Sequence, residues 1–116
     1  MNDTDIDAGR LTKRMALEQD IGTETDSTGK KIENWQPYGT PSTRWVAVRQ
    51  LNGREIERAA MLQVEATHEI EMYWLAGLSA VKFRGKLGSR VFNFGIVNNV
   101  NEANVKLLIT ACEQIG

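Results

Sequence analysis

The sequence predicts a mainly β protein, a small six-stranded antiparallel β-barrel of SH3-like size with one short α-helix and a long loop after the first strand. Three observations favour this class. Apolar residues alternate at period two in six short segments, turn signals rich in Gly and Asn separate most of these segments, and only one segment has helical periodicity. The 116 residues fit a single domain, and the single cysteine excludes a framework of internal disulfides.

The N-terminal part of the chain is predicted to contain a tail, a strand and a loop. Residues 1–9 are polar and are expected to form a flexible tail, so that the barrel domain covers 10–116. The first strand is predicted over 11–19, where Lys13 interrupts an otherwise apolar face. Residues 23–42 follow as a long loop, which is expected to be mobile.

The long loop contains both prolines, Pro37 and Pro41, which the interior of a sheet would not accept. Residues 31–36 could form a short strand inside it. The loop supplies too little apolar surface to offset its ordering in isolation, so we expect it to become ordered in an assembly. The alternative is a surface hairpin that is folded permanently against its own barrel.

The other strands follow from alternation of apolar and polar residues. Residues 43–51 are predicted to be a strand buried on both sides, because Trp45 and Val46 place apolar groups on opposite faces. The remaining strands are predicted at 66–74, 81–84, 90–97 and 105–112.

One segment, 53–64, has the periodicity of an amphipathic helix. Asn52 is a favourable N-cap, and Glu55 stands three residues later, as in a capping box. The apolar stripe of the predicted helix consists of Ile56, Ala59, Ala60 and Val64.

Charge is unevenly distributed along the chain. Residues 1–71 carry 13 acidic and 9 basic side chains, whereas residues 72–101 carry four basic side chains and no acidic one. The four are Lys82, Arg84, Lys86 and Arg90. They are a candidate docking patch for an acidic partner or for phosphates, and the alternative is a solvated hairpin tip that keeps sheet edges soluble. The overall net charge of −1 argues against a nucleic-acid binder held by bulk charge.

The sequence gives no positive evidence for catalysis. The only histidine, His68, and the only cysteine, Cys112, have no motif around them, and a zinc site would have to recruit carboxylates. Glu69 and Glu71 share a strand face and are interpreted as solvated positions rather than as paired catalytic acids. We therefore expect a protein that is not an enzyme, with no catalytic residue, no metal and no cofactor.

Aromatic and apolar segments can act as binding or targeting signals. Trp35, Tyr38 and Trp45 could form an aromatic ligand platform, but Trp45 is expected in the core. No apolar run approaches the roughly 18 residues of a membrane span. The N-terminus is acidic, unlike a signal peptide, so the expected setting is the cytosol with no membrane partner.

The order of short motifs carries more information than any single residue. The motifs are AGRLTKRMALEQ, TDSTGKKIENW, RWVAVRQLNGREIERA, EATHEIEMYWLAGL, VKFRGKLGSRVFNFGIV and VKLLITACE. In this order, over roughly residues 8–113, the chain resembles the head–tail joining (head closure, or stopper) proteins of long-tailed bacteriophages and prophages. It departs from the family pattern at Tyr73 and Ala76, where relatives commonly have Arg and Pro, so any intersubunit contact of that Arg must be made differently here.

The resemblance implies a structural protein of the virion, located in the head–tail connector. It implies a homo-oligomeric ring, expected to be dodecameric, that docks beneath portal and adaptor proteins after DNA packaging. This ring closes the filled head and offers tail proteins an attachment surface. Packaged DNA in the channel is a further candidate partner. The candidate channel or assembly loop consists of Lys30, Lys31, Ile32, Glu33, Asn34 and Trp35.

Two alternative functions remain open at this point. One is a ring protein of the tail-completion or tail-terminator type, built on a similar barrel. The other is a generic small-barrel binding module, which could use the basic hairpin to bind nucleic acid.

Overall fold

The computed structural model of the chain describes residues 5–114. Its strands are β1 Lys13–Asp20, β2 Trp35–Pro37, β3 Thr43–Gln50, β4 His68–Tyr73, β5 Phe83–Leu87, β6 Arg90–Asn99 and β7 Lys106–Glu113. Its helices are α1 Gly53–Met61 and two short 3-10 turns, Ala8–Arg10 and Val100–Glu102. In this part of the chain, no helix is long and apolar enough to cross a bilayer.

Six of these strands close into an antiparallel barrel in the order β1-β3-β4-β7-β6-β5, with β5 pairing back onto β1. The predicted fold class, a mainly β six-stranded barrel with one α-helix, is confirmed. Strand β2 is an addition to the barrel and pairs with the end of β1, where Pro37 lies opposite Glu18. The short strand predicted at 31–36 therefore lies later, at Trp35–Pro37. An added edge strand tolerates a proline because its outer side needs no ladder hydrogen bond.

The barrel is filled by side chains from alternate positions of its strands. Its largest fully buried side chains are Met15, Leu17, Val46, Ile70, Met72, Phe92 and Ile109. Met15 occupies the space that a side chain at position 85 would need, so Gly85 on β5 allows close packing of the interior. A barrel of this strand number has an interior that side chains can fill.

The prediction that β3 is buried on both faces is wrong. Val46 points into the core, but Trp45 is 51% exposed on the outer surface. The physical reason is closure: in a barrel each strand has one interior face, and its other face is buried only where another element covers it. Helix α1 follows β3 in the chain and does not cover Trp45, which lines an open groove.

Helix α1 begins as the sequence pattern indicates. The Asn52 side chain accepts a hydrogen bond from the Glu55 N–H at 2.9 Å, and the Glu55 carboxylate accepts one from the Asn52 N–H at 3.0 Å. Glu55 also receives two hydrogen bonds from Arg49, at 2.9 and 2.7 Å. Arg49 reaches Glu69 at 3.2 Å as well, so this ion-pair network joins β3, β4 and the start of α1.

Helix α1 ends three residues before the predicted limit of 64. Gln63 adopts a left-handed conformation with φ of +59°. Its N–H donates to the Ala60 carbonyl at 2.9 Å, and the Val64 N–H donates to the Ala59 carbonyl at 3.0 Å. These two bonds form a Schellman motif, which terminates the helix. Glycine usually occupies the left-handed position, and its absence here removed the sequence signal for this end.

The segment 5–11, which includes the described part of the predicted tail, contacts the barrel. Leu11 is buried, and Arg10 forms an ion pair with Glu71 at 3.3 Å. Lys106 donates to the Asp5 carbonyl at 3.1 Å and lies 3.5 Å from Glu71. The interpretation of Glu71 as a solvated position is wrong, because its side chain is only 9% exposed beneath these contacts. Residues 1–4 of the predicted tail lie outside the described residues.

Candidate assembly surface

Between β1 and β2 the chain leaves the barrel as an arm, residues 21–34, which contains most of the candidate assembly loop. Asp20, the last residue of β1, holds both ends of this arm. Its carboxylate accepts hydrogen bonds from the N–H groups of Gly22 and Asn34, each at 2.9 Å. The bond from Asn34, and then that from Gly22, hold the pKa of Asp20 below its ordinary value. The Ile21 N–H adds a bond to the Asn34 carbonyl at 2.9 Å.

The outer part of the arm is folded by local hydrogen bonds. Thr25 and Lys31 form an isolated antiparallel bridge. At the tip, the Asp26 carboxylate accepts bonds from the Thr28 hydroxyl at 2.6 Å and from the Thr28 and Lys30 N–H groups at 2.9 Å. Gly29 supplies the positive φ, +85°, that this turn requires. The arm is thus a hairpin without an apolar core, and its side chains from position 23 to 34 are exposed.

Trp35 joins the arm to the basic hairpin formed by β5 and β6. The Arg84 guanidinium lies 4.1 Å from the centroid of the Trp35 ring and donates to Glu18 at 2.8 Å. The Trp35 indole N–H donates to Glu33 at 2.8 Å. The structure therefore brings together two groups of residues that were predicted separately, the assembly loop and the basic patch. Cation–π contact with a half-buried indole stabilises this junction.

The four basic residues of the candidate docking patch are not four free cations. Arg84 is neutralised by Glu18, and Arg90 forms two hydrogen bonds with Glu113, at 2.8 and 3.0 Å. Lys82 lies beside Lys31 of the arm. The close approach of the Lys31 side chain, whose ammonium group repels that of Lys82, lowers the pKa of Lys82.

The net effect is a positive surface that is shared between the hairpin and the arm. Its members are Lys30 and Lys31 from the arm together with Lys82 and Lys86 from the β5 region. Within the described chain, Lys30 and Lys86 make no ion pair with a carboxylate.

His68 and Cys112 occupy packing positions. The His68 ring lies edge-on to Phe92, with centroids 5.1 Å apart, and its Nδ1 atom is 2.8 Å from the Thr67 hydroxyl. Burial lowers the pKa of His68, and Glu113 at 4.0 Å opposes that shift. Burial raises the pKa of the Cys112 thiol, so the thiol stays protonated at neutral pH.

The three aromatic residues of the candidate ligand platform are separated from one another. Trp35 stacks at the base of the arm, and Trp45 lies on the outer face of β3. The Tyr38 hydroxyl donates to the Ala76 carbonyl at 2.7 Å, and its ring lies edge-on to Phe83 at 4.8 Å. Nowhere in residues 5–114 do three or more His, Cys, Asp or Glu side chains form a group that could hold a metal ion.

Two acidic residues that organise this surface were not singled out from the sequence. Asp20 is followed by a glycine two residues later, which is the pattern of an Asx turn and was an available signal. Glu18 pairs with Arg84 only because β1 and β5 lie side by side in the closed barrel. That ion pair joins residues far apart in the chain, so no local sequence pattern predicts it.

The sequence matches the model of one protein family. The family described as phage head completion protein matches residues 6–115. This match confirms the resemblance drawn from the order of the motifs. No curated protein matches the chain.

Two solved structures share the fold. The solution structure of protein SF1141 from Shigella flexneri 2a has a TM-score of 0.64 and 24% identity, covering 93% of this chain and 96% of that chain. A chain from the virion of a native gene transfer agent particle has a TM-score of 0.60 and 19% identity, covering 92% of this chain and 98% of that chain. At these identities the likeness shows the fold alone.

Proposed function

Because the chain belongs to the phage head completion protein family, a family of structural proteins of the virion, we propose that it acts in the head–tail connector. In this proposal it docks beneath the portal and adaptor proteins after DNA packaging, closes the filled head and provides the surface to which tail proteins attach. The family favours this role over a tail-terminator protein and over a generic binding module.

The arm is the feature that supports closure. A closing element has to reach beyond its own subunit, and the arm leaves the barrel at Asp20 with its side chains exposed. Its outer part is held only by local hydrogen bonds, so it can rearrange while the Asp20 bonds keep its base in place. Residues 30–35 can then offer backbone groups to a strand of a neighbouring subunit.

A homo-oligomeric ring, expected to be dodecameric, follows from the same proposal. Head-to-tail contacts between identical subunits close into a ring when two different surfaces of each subunit meet. Packaged DNA is a further partner: Lys30 and Lys31 are exposed on the arm, Lys31 lies beside Lys82, and their charge suits contact with phosphate groups in the channel. The protein would assemble in the host cytoplasm and remain in the virion.

A shortened arm tests the proposal. In this variant a Gly-Gly-Ser-Gly linker replaces residues 24–32 and leaves Asp20, Gly22 and Asn34 in place. We expect a folded subunit, but filled heads that leak DNA or do not join tails, as counted by electron microscopy. Met61→Ser, at a highly exposed position on α1, is the matched control and should behave as the parent. Heads that retain DNA and join tails with the shortened arm would contradict the closing role.

A further inference from the structure

Two large aromatic side chains lie side by side on the outer surface of the barrel, away from the arm. Ala47 of β3 pairs with Glu71 of the antiparallel strand β4. The same register places Trp45, two residues before Ala47, beside Tyr73, two residues after Glu71. Trp45 is 51% exposed and Tyr73 is 46% exposed. We call these two residues, with Arg14 and Arg44, the aromatic surface.

Two grooves meet at this surface. One, of about 480 Å³, is lined by Ala8, Leu11, Thr12, Trp45 and Tyr73. The other, of about 280 Å³, is lined by Arg14, Pro41, Thr43, Arg44, Trp45, Met72 and Tyr73. Both grooves share the two aromatic rings, and no acidic residue from the described range 5–114 lines either. Together they offer apolar space of the size in which a side chain of a partner can be buried.

The arginines of the aromatic surface lack carboxylate partners within the described residues. The Arg14 guanidinium lies 4.8 Å from the centroid of the Trp45 ring, and Arg44 Nε donates to the Pro41 carbonyl at 2.8 Å. Other arginines of the barrel are paired with glutamates, namely Arg10, Arg49, Arg84 and Arg90. Arg14 and Arg44 therefore present positive charge beside exposed aromatic rings.

We propose that the aromatic surface binds an acidic peptide segment of a different virion protein, with an apolar side chain of that segment inserted between Trp45 and Tyr73. Trp, Tyr and Arg are the residue types that dominate binding energy at protein interfaces. A carboxylate can accept two parallel hydrogen bonds from a guanidinium, which fixes the register of the segment. The assignment to a virion protein rests on the proposed function, whereas the chemistry of the partner rests on the surface.

Other occupants fit this surface less well. DNA phosphates would pair with the two arginines but would leave the apolar grooves unfilled. A second copy of the chain would have to bring a free carboxylate, and five of its ten glutamates are already held by arginine. These are Glu18, Glu55, Glu69, Glu71 and Glu113.

Photo-crosslinking in assembled particles tests the proposal. Tyr73→benzoylphenylalanine places a photoreactive ring in the grooves, and the same replacement of Val81, which is highly exposed elsewhere, is the matched control. After irradiation, mass spectrometry should identify an adduct with an acidic segment of another virion protein that the Val81 probe does not give. An adduct with a second copy, an adduct with DNA, products shared with the control, or no adduct would overturn the proposal.

Charge reversal supplies the second measurement. Arg14→Glu combined with Arg44→Glu should lower the yield of the Tyr73 adduct at least about tenfold, which corresponds to about 1.4 kcal/mol. Arg54→Glu combined with Arg58→Glu makes the same charge change on α1 and should leave the yield unchanged. Equal yields of the Tyr73 adduct from the two double variants would overturn the proposal. Heads that stay closed without this protein would contradict the proposed closing function. The identity of the crosslinked partner tests the aromatic surface separately and does not depend on that result.

Discussion

At the scale of single residues, Glu71 is a buried acidic side chain that joins the N-terminal segment to the barrel. It is nearly buried and lies between Arg10 of the N-terminal segment and Lys106 of β7. Exposed ion pairs contribute little to stability, whereas removal of one partner from a buried pair leaves an uncompensated charge. Glu71 therefore fixes the path of residues 5–11 across the barrel.

We expect Glu71→Gln to lower the free energy of unfolding by about 2 kcal/mol, less than the 3–5 kcal/mol of fully buried pairs because Arg10 remains solvated. Urea unfolding at neutral pH measures the difference. Glu57→Gln, at an exposed position on α1, is the control and should change stability by less than about 0.5 kcal/mol. Equal stability of both variants would show that the contacts of Glu71 do not hold the N-terminal segment.

The N-cap of α1 gives a second prediction at this scale. Asn52→Ala should lower the free energy of unfolding by about 1 kcal/mol, because it removes the acceptor of the Glu55 N–H. Asn52→Ser retains an acceptor and should stay within a few tenths of a kcal/mol of the parent. Urea melts that overlay for parent and alanine variant would exclude Asn52 as the cap.

At the scale of elements, the start of α1 could be predicted from sequence, and its end could not. The start depends on two side chains close in the chain, Asn52 and Glu55, whereas the end depends on Gln63 adopting a conformation that glycine usually takes. The exposure of Trp45 depends on closure of the barrel, which is a property of all six strands together. The junction of Trp35 with Arg84 depends on the same closure.

The mobility of the arm is a prediction at the scale of elements. The outer bonds of the arm are local and exposed, so we expect amide protons of residues 23–33 to exchange at least about 100-fold faster than those of β6 and β7. Amide hydrogen exchange of the free subunit measures this. Gly22 and Asn34, which donate to Asp20, should exchange more slowly than the tip. Protection of the whole arm equal to that of the barrel would instead indicate a permanently folded hairpin.

At the scale of the whole molecule, closure leaves the six barrel strands with few open edges, so the barrel can be stable with one short helix and no disulfide. The sequence predicted this class because six alternating segments with turns between them have few other arrangements. The candidate site was less predictable. Its residues come from β1, the arm, β2 and β5, and only the closed sheet brings them together.

The pH dependence of global stability follows from His68. Burial lowers the pKa of His68 in the folded protein, so the unfolded chain, with a His pKa near 6.5, binds more protons between the two values. The contribution of His68 to the free energy of unfolding is complete above about pH 6.5 and is lost as the pH falls below that value. The groups that face it are Glu113, Arg90, Thr67 and Phe92.

Urea unfolding between pH 7.5 and 5.5 should show this decline in the parent protein, and His68→Gln should flatten it. The window lies above the ordinary pKa values of carboxylic acids, so Asp20, Glu55 and Glu113 titrate outside it. A parent whose stability is constant over this range would contradict the prediction, and a variant whose stability declines equally would assign the dependence to another group.

Strand β1 pairs with β5 on one side, and on the other side it pairs first with β3 and then with β2. The arm is held by Asp20, the last residue of β1. Tension on the arm is therefore delivered to the end of a strand that has neighbours on both sides. Pulling along the strand axis loads all of its hydrogen bonds in shear, so they must break together, whereas a sideways pull would peel them one at a time. The arm can bend under load while its anchorage resists extraction.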